Sequence, residues 1–304
     1  MKPVVFAAVM ATGIVSISAA DYGFSIVSQP LAVLAVVALG VLMYAAAVRR
    51  QTFDWQDLDT VIGLFTYVAA CAVLAARFAE YAPAVWIFGA LGLSGWLSLM
   101  PMALTRMRRL GIAALRGRAR GTWELVSVAT SGLAIVFMAA GILFWAFIFW
   151  LIALGLYGLM TGLIAWRAIG EPEVRRDVPA DHWILMGGAA IATLAGEHIH
   201  AALHPGPIAD AVLVVTIATL VVAAVQIVPL ALTSWRQILD WPAVFPLGMF
   251  SAASYAVSIE TGWHPMVVVS HVFFWIAFAA WLAVAVVLIR RVVRLTSEHG
   301  LRPQ

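Results

Sequence analysis

Residues 241–265 read WPAVFPLGMFSAASYAVSIETGWHP. From Trp241 to Ile259 no residue carries a formal charge, as suits a helix in lipid. Yet Pro246 sits inside the run, directly after Phe245, with Gly248 close behind. A proline removes one backbone donor and disturbs the carbonyl four residues back, here that of Pro242. In a membrane such a break is tolerated where the freed group faces protein or a wet cavity. The stretch therefore predicts a membrane helix held in the interior of a bundle.

The rest of the chain agrees. Of 304 residues, 64% are hydrophobic and 11% are charged, and the mean hydropathy is +1.00. A soluble domain carries about 25% charged residues, so the bilayer is the solvent here. A spanning helix needs about 20 apolar residues. Ten spans are read at about 3–20, 26–48, 60–79, 83–104, 121–140, 142–166, 181–203, 209–234, 241–259 and 265–289. The apolar stretch around Gly141 is too long for one crossing and is expected to turn there. The chain is read as one transmembrane domain, 1–304, ending in a short cytoplasmic tail from 291. A cleaved signal peptide competes for the first 20 or so residues. An uncleaved first helix is favoured, because MATGIVSIS has polar and Gly positions that a greasy signal core does not need.

Charge tests the count. Of 18 Lys and Arg, all except Arg77 lie at the termini or in loops after even-numbered helices. Positive loops stay in the cytoplasm, so ten helices with both termini inside is the natural solution. Arg77 is expected to pair with Glu80 or to snorkel. Topology also accounts for the pI of 9.3, with no need for nucleic acid as a partner. The Arg-rich run 106–120 reads as a solvated loop beside membrane lipid. Cys71 is the single cysteine, so no intramolecular disulfide forms. Short outer and longer inner connections suggest five helical hairpins in series. Weak echoes, Met10-Ala-Thr-Gly13, Met186-Gly187-Gly188 and Pro246-Leu247-Gly248-Met249, all fall on odd helices.

Carboxylates inside spans are costly and usually face an interior or a cavity. Glu124, at the start of the fifth helix, complements the helix dipole there and is a candidate mouth residue. Glu197 and His198 form a candidate proton-sensitive group at the outer end of the seventh helix. His200 and His204 share a helix face, but no third ligand is specified and HExxH is absent. No metal and no cofactor are expected.

VMATGIVSISA (9–19), GTWELVSVATSGLA (121–134), HWILMGGAAIATLAG (182–196) and WPAVFPLGMFSAASYAVS (241–258) resemble the tellurite-resistance/C4-dicarboxylate transporter family. That family includes the slow-type anion channels of plants, fungal malate permeases and sulfite efflux pumps. The resemblance implies an all-α membrane protein of five helical hairpins around a central pore. Odd helices line the pore, and the protomers form homotrimers in the cell membrane. It also implies passage of small inorganic anions or C4-dicarboxylates, no enzymatic activity, and a pore closed by the phenylalanine matching Phe245, with Pro246 beside it. Thr12, Gly13, Ser16, Thr66, Thr130, Ser131, Gly187, Thr193, Gly248 and Ser251 are the pore-lining candidates by helix position. Two departures stand out. The family often has a Gln-Ser pair where this chain has Thr130-Ser131, and Glu124 replaces an apolar or aromatic residue. Two alternatives remain: a proton-coupled dicarboxylate, sulfite or tellurite efflux carrier, and an intramembrane haem or metal enzyme using His198 and His271.

Overall fold

The computed structural model describes residues 3–171, 179–234 and 240–300. Ten long helices follow one another, with no strand among the described residues. They are α1 (Val4–Asp21), α2 (Ser25–Val48), α3 (Leu58–Arg77), α4 (Ala82–Arg118), α5 (Gly121–Ala139), α6 (Leu143–Gly170), α7 (Trp183–Ala202), α8 (Pro207–Ser234), α9 (Trp241–Thr261) and α10 (Pro265–Gly300). All except α7 are long and apolar enough to cross a membrane. Glu197, His198 and His200 lower the hydropathy of α7, which nonetheless spans 20 residues alongside the others.

Consecutive helices pair as 1–2, 3–4, 5–6, 7–8 and 9–10. The odd helices also touch in the order 1–3–5–7–9–1, which closes a ring. Burial separates the two sets: α3 is 83% buried, whereas α2 is 22% buried. The even helices thus form an outer layer whose exposed side chains are aliphatic and aromatic, such as Val33, Val37 and Tyr44 on α2. In water such a surface would be untenable; against acyl chains it is the expected one.

Three of the five turns that follow odd helices share one chemistry. Gly23, Gly141 and Gly262 follow α1, α5 and α9 and all have φ near +70°, at 73°, 74° and 67°. Glycine reaches this region without steric cost. After α1 and α5 the cap is the same: Phe24 N donates to Ala19 O at 2.8 Å and Ile142 N to Phe137 O at 2.8 Å. This six-to-one bond closes the helix end. The turn expected near Gly141 falls on that residue.

Small residues let the inner helices meet closely. A Cβ on Gly13 would come 2.6 Å from Val73 (α1–α3), and one on Gly132 2.8 Å from Ala72 (α5–α3). One on Gly187 would come 2.9 Å from Pro246 (α7–α9), and one on Gly248 2.8 Å from Ile14 (α9–α1). The sequence echoes on the odd helices are therefore ring contacts. Outer helices grip the next inner helix through indoles. Trp96 of α4 donates to Thr130 at 2.9 Å, Trp150 of α6 to the Ala192 carbonyl at 2.9 Å, and Trp281 of α10 to Thr12 at 2.9 Å.

Two segments differ from expectation. The Arg-rich stretch after 104 continues as helix; at Gly111 (φ 73, ψ 161) the chain departs from helical geometry, and helix resumes to Arg118. α10 likewise runs on to Gly300, through the segment expected to be a tail; residues 301–304 lie outside the described part.

Candidate functional site

At the amino-terminal end of the inner ring lies a cavity of about 120 Å³. Every inner helix or its lead-in contributes to it: Met10 from α1, Thr66 from α3, Thr122 and Leu125 from α5, Asp181 and Ile184 from α7, and Trp241, Pro242 and Phe245 from α9. Phe245 is one turn deeper along α9 than Trp241 and is 2% exposed. Helix α9 is held at its start by Asp240, whose side chain accepts from Trp241 N at 2.9 Å. It runs unbroken through Pro246, and the proline ring rests on Gly187 of α7.

All five inner helices present their amino termini to this end. The aligned dipoles favour negative charge at this end, and among the described residues no lysine or arginine lines the cavity. Asp181 is the one carboxylate there among the described residues. It precedes α7 and ties the mouth together, accepting from Thr122 Oγ1 at 2.6 Å and from Thr122 N at 3.2 Å. The His182 ring lies 3.2 Å from its other oxygen. Burial works against the charge, but the His182 and Thr122 bonds outweigh it and hold the carboxyl below its ordinary value. Gly121 packs against the Asp181 backbone too closely for any side chain.

Several of the expected lining hydroxyls are directed elsewhere. Ser16 Oγ donates to Ser28 O at 2.7 Å and Ser28 Oγ returns the bond to Ser16 O at 2.8 Å, joining α1 to α2. Ser251 and Ser270 form the same reciprocal clasp between α9 and α10, at 2.8 Å and 2.7 Å. Thr193 meets Thr219 of α8 at 2.9 Å. With Thr12 and Thr130 held by tryptophans of the outer layer, five of the hydroxyls hold inner helices to outer ones. Thr66 lines the cavity. Ser131 is buried with no hydrogen-bond partner for its hydroxyl. Gly13, Gly187 and Gly248 are packing contacts of the ring.

Glu124, expected as a mouth residue, does not line this cavity. It is fully buried between α5 and α6, accepting from Ser127 Oγ at 2.7 Å and Thr161 Oγ1 at 2.6 Å. Arg77 does not pair with Glu80. Its Nε donates to Ser16 Oγ at 2.8 Å and its Nη2 to Ser28 Oγ at 2.8 Å, so it locks the first hairpin to α3. No sequence rule pointed to that clamp, because its partners lie 49 and 61 residues away.

The opposite end of the ring is rich in titratable groups. His198 bonds its neighbour Glu197, and His200 Nδ1 lies 2.6 Å from Glu260 of α9. Asp21 is within electrostatic reach of His198 and Arg77. Asp21, Arg77 and Glu80 share a pocket of about 490 Å³ there. His271 packs edge-on against Tyr22 and accepts from Trp275 at 3.0 Å. Among the described residues no three His, Cys, Asp or Glu side chains are grouped to hold a metal.

A family model described as "SLAC1: Voltage-dependent anion channel" matches residues 1–289. Among curated proteins the chain is similar to the uncharacterized membrane protein Rv1735c of Mycobacterium tuberculosis (strain ATCC 25618 / H37Rv). Identity is 26% over 167 residues, covering 48% of this chain and 81% of the relative. The uncharacterized membrane protein MT1776 of Mycobacterium tuberculosis (strain CDC 1551 / Oshkosh) gives the same figures, 26% over 167 residues.

Proposed function

The chain belongs to the voltage-dependent anion channel (SLAC1) family, and from that premise we propose that it passes small anions along the axis enclosed by α1, α3, α5, α7 and α9, with Phe245 as the gate. The class follows from membership: a multi-pass membrane protein of an anion channel and transporter family. The path and the gate are our reading.

The observation that carries it is the cavity at the ring's amino-terminal end, to which all five inner helices contribute and which Phe245 lines at depth. The face of α9 beyond Phe245 carries Met249, Ala252 and Ala256, four, seven and eleven residues on. An anion that had passed the ring would meet apolar walls and no strong binding site. Weak binding suits throughput, since an ion held tightly does not leave. Selectivity in this reading comes from converging helix amino termini and the cytoplasmic arginines. Thr66 and the unpartnered Ser131 are the hydroxyls kept as lining candidates. The chain is taken as one transport domain. A homotrimer belongs to the same proposal, supported by the broad apolar face of the even helices.

The test is anion flux in proteoliposomes across a panel of chloride, nitrate, sulfite and malate, comparing the parent with Phe245→Ala. Faster flux in the variant supports the gate. A silent Phe245→Ala beside an active Phe250→Ala moves the gate elsewhere; Phe250 packs on Phe273 of α10 with ring centres 4.7 Å apart. A second reading, a proton-coupled carrier, is favoured by the Asp21, Glu197 and His198 group at the far mouth. Saturation at low substrate without unitary currents would select it.

A further inference from the structure

A second cavity lies away from the ring axis. It is a cleft of about 350 Å³ between the first two hairpins, at the lower end of the span of small-ligand sites, about 300–1,000 Å³. Its walls come from Met43 near the end of α2, Phe53 in the following loop, Tyr67 of α3, and Leu99 and Met102 of α4. Among the described residues Arg50 is the single charged side chain of the lining. It sits two residues past α2, at the level where a membrane helix leaves hydrocarbon. Trp55 lies beside it and donates to the Arg50 carbonyl at 3.2 Å, as interfacial indoles do.

We propose that this cleft binds an anionic phospholipid, with an acyl chain between α2 and α4 and the phosphate on Arg50. Three observations fix the occupant. The cleft opens between two outer-layer helices, so its natural solvent is lipid. Its body is apolar and its charge is confined to one end, matching an amphiphile with an anionic head. The carboxylates nearby are engaged: Asp54 accepts from Gln56 N at 2.9 Å, Asp57 from Thr60 N at 2.9 Å, and Asp59 binds Arg120 and Trp123. A second cation lies on one of the helices that form the cleft. Arg106 follows Met102 by one turn on the same face of α4; its Nη1 donates to the Met102 carbonyl at 3.4 Å, and its Nε is buried without a partner. Basic pockets between membrane helices on the cytoplasmic side bind such headgroups. The site is independent of the conduction path.

The test uses the full-length protein stripped of lipid in detergent, read by native mass spectrometry and thermal melting. Phosphatidylglycerol is compared with phosphatidylcholine of the same chains and with inorganic phosphate. Phosphatidylglycerol is expected to bind and raise the melting point most, and inorganic phosphate to do neither. Arg50→Gln should weaken phosphatidylglycerol binding by about fivefold, the worth of one basic contact at a membrane surface. Ser98→Phe, which fills the cleft from α4, should reduce binding of both lipids. Equal response to the two lipids, an unchanged Arg50→Gln, or an equal shift from inorganic phosphate overturns the proposal. So does disulfide crosslinking of two copies through Ser98→Cys, which would make a second chain the occupant.

Discussion

Pro246 of α9 packs directly on Gly187 of α7: a Cβ at position 187 would stand 2.9 Å from the proline Cγ and 3.1 Å from its Cβ. The proline that interrupts an apolar run thus fits against the one residue type that leaves room for it. Gly187→Val is expected to lower stability by about 1–3 kcal/mol, as overpacking does. Gly155→Val on α6, where a Cβ meets nothing within 4 Å, is the control. Thermal melts in one detergent compare them, and equal effects would deny the close contact.

At position 245 a graded series should track side-chain volume. If the ring stoppers the path, Phe245→Leu raises flux less than Phe245→Ala. Each 1.4 kcal/mol or so taken off the barrier appears as about tenfold in rate. A flat series in proteoliposomes would assign Phe245 to packing.

The Ser251–Ser270 clasp makes two hydrogen bonds between α9 and α10. A double-mutant cycle with Ser251→Ala and Ser270→Ala should return a coupling near the membrane-protein average of about 0.6 kcal/mol. Anion selectivity should not change, because these hydroxyls face the outer partner helix.

Asp181 gives an acid-side prediction. Its carboxyl is held below the ordinary value of 3.8, so its stabilising contribution is complete above that pH. The contribution is lost as pH falls through the lower folded value. Subtracting the melting profile of Asp181→Asn from that of the parent should give a difference that shrinks only below about pH 4. A difference vanishing between pH 5 and 8 would contradict the Thr122 and His182 bonds.

Histidine is the side chain suited to switching between pH 5 and 8. The groups facing His198 are Glu197 on its own helix and Asp21 of α1, with Arg77 of α3 beside Asp21. If this group senses protons, flux depends on pH across that range and His198→Ala flattens the profile. Parent flux that stays constant from pH 5 to 8 removes it from the mechanism.

The helices themselves were legible from composition. Long uncharged runs must be helical in lipid, and arginines cluster after even-numbered spans, so spans and turns such as Gly141 follow from one-dimensional patterns. The rotation of each helix about its own axis was not legible. Spacing says which residues of a helix share a face; it does not say whether that face meets the axis, a ring neighbour or an outer partner. Hence Thr12, Ser16, Thr130, Thr193 and Ser251 were sensible lining candidates by depth, yet they bond outward. Glu124 shows the same limit: a helix-start carboxylate satisfies a local rule, but Thr161 on the next helix receives it in the interior. Arg77 found its partners in the first hairpin, not three residues along the chain. Sequence alone determined a bilayer-solvated bundle of ten helices with a proline-bearing ninth, because hydropathy and charge are properties of each segment taken singly. Tertiary structure decided which side chains close the ring, clasp the hairpins or reach the central cavity. Those roles depend on packing between helices far apart in the chain, where a glycine or a tryptophan on one side sets what the other can present.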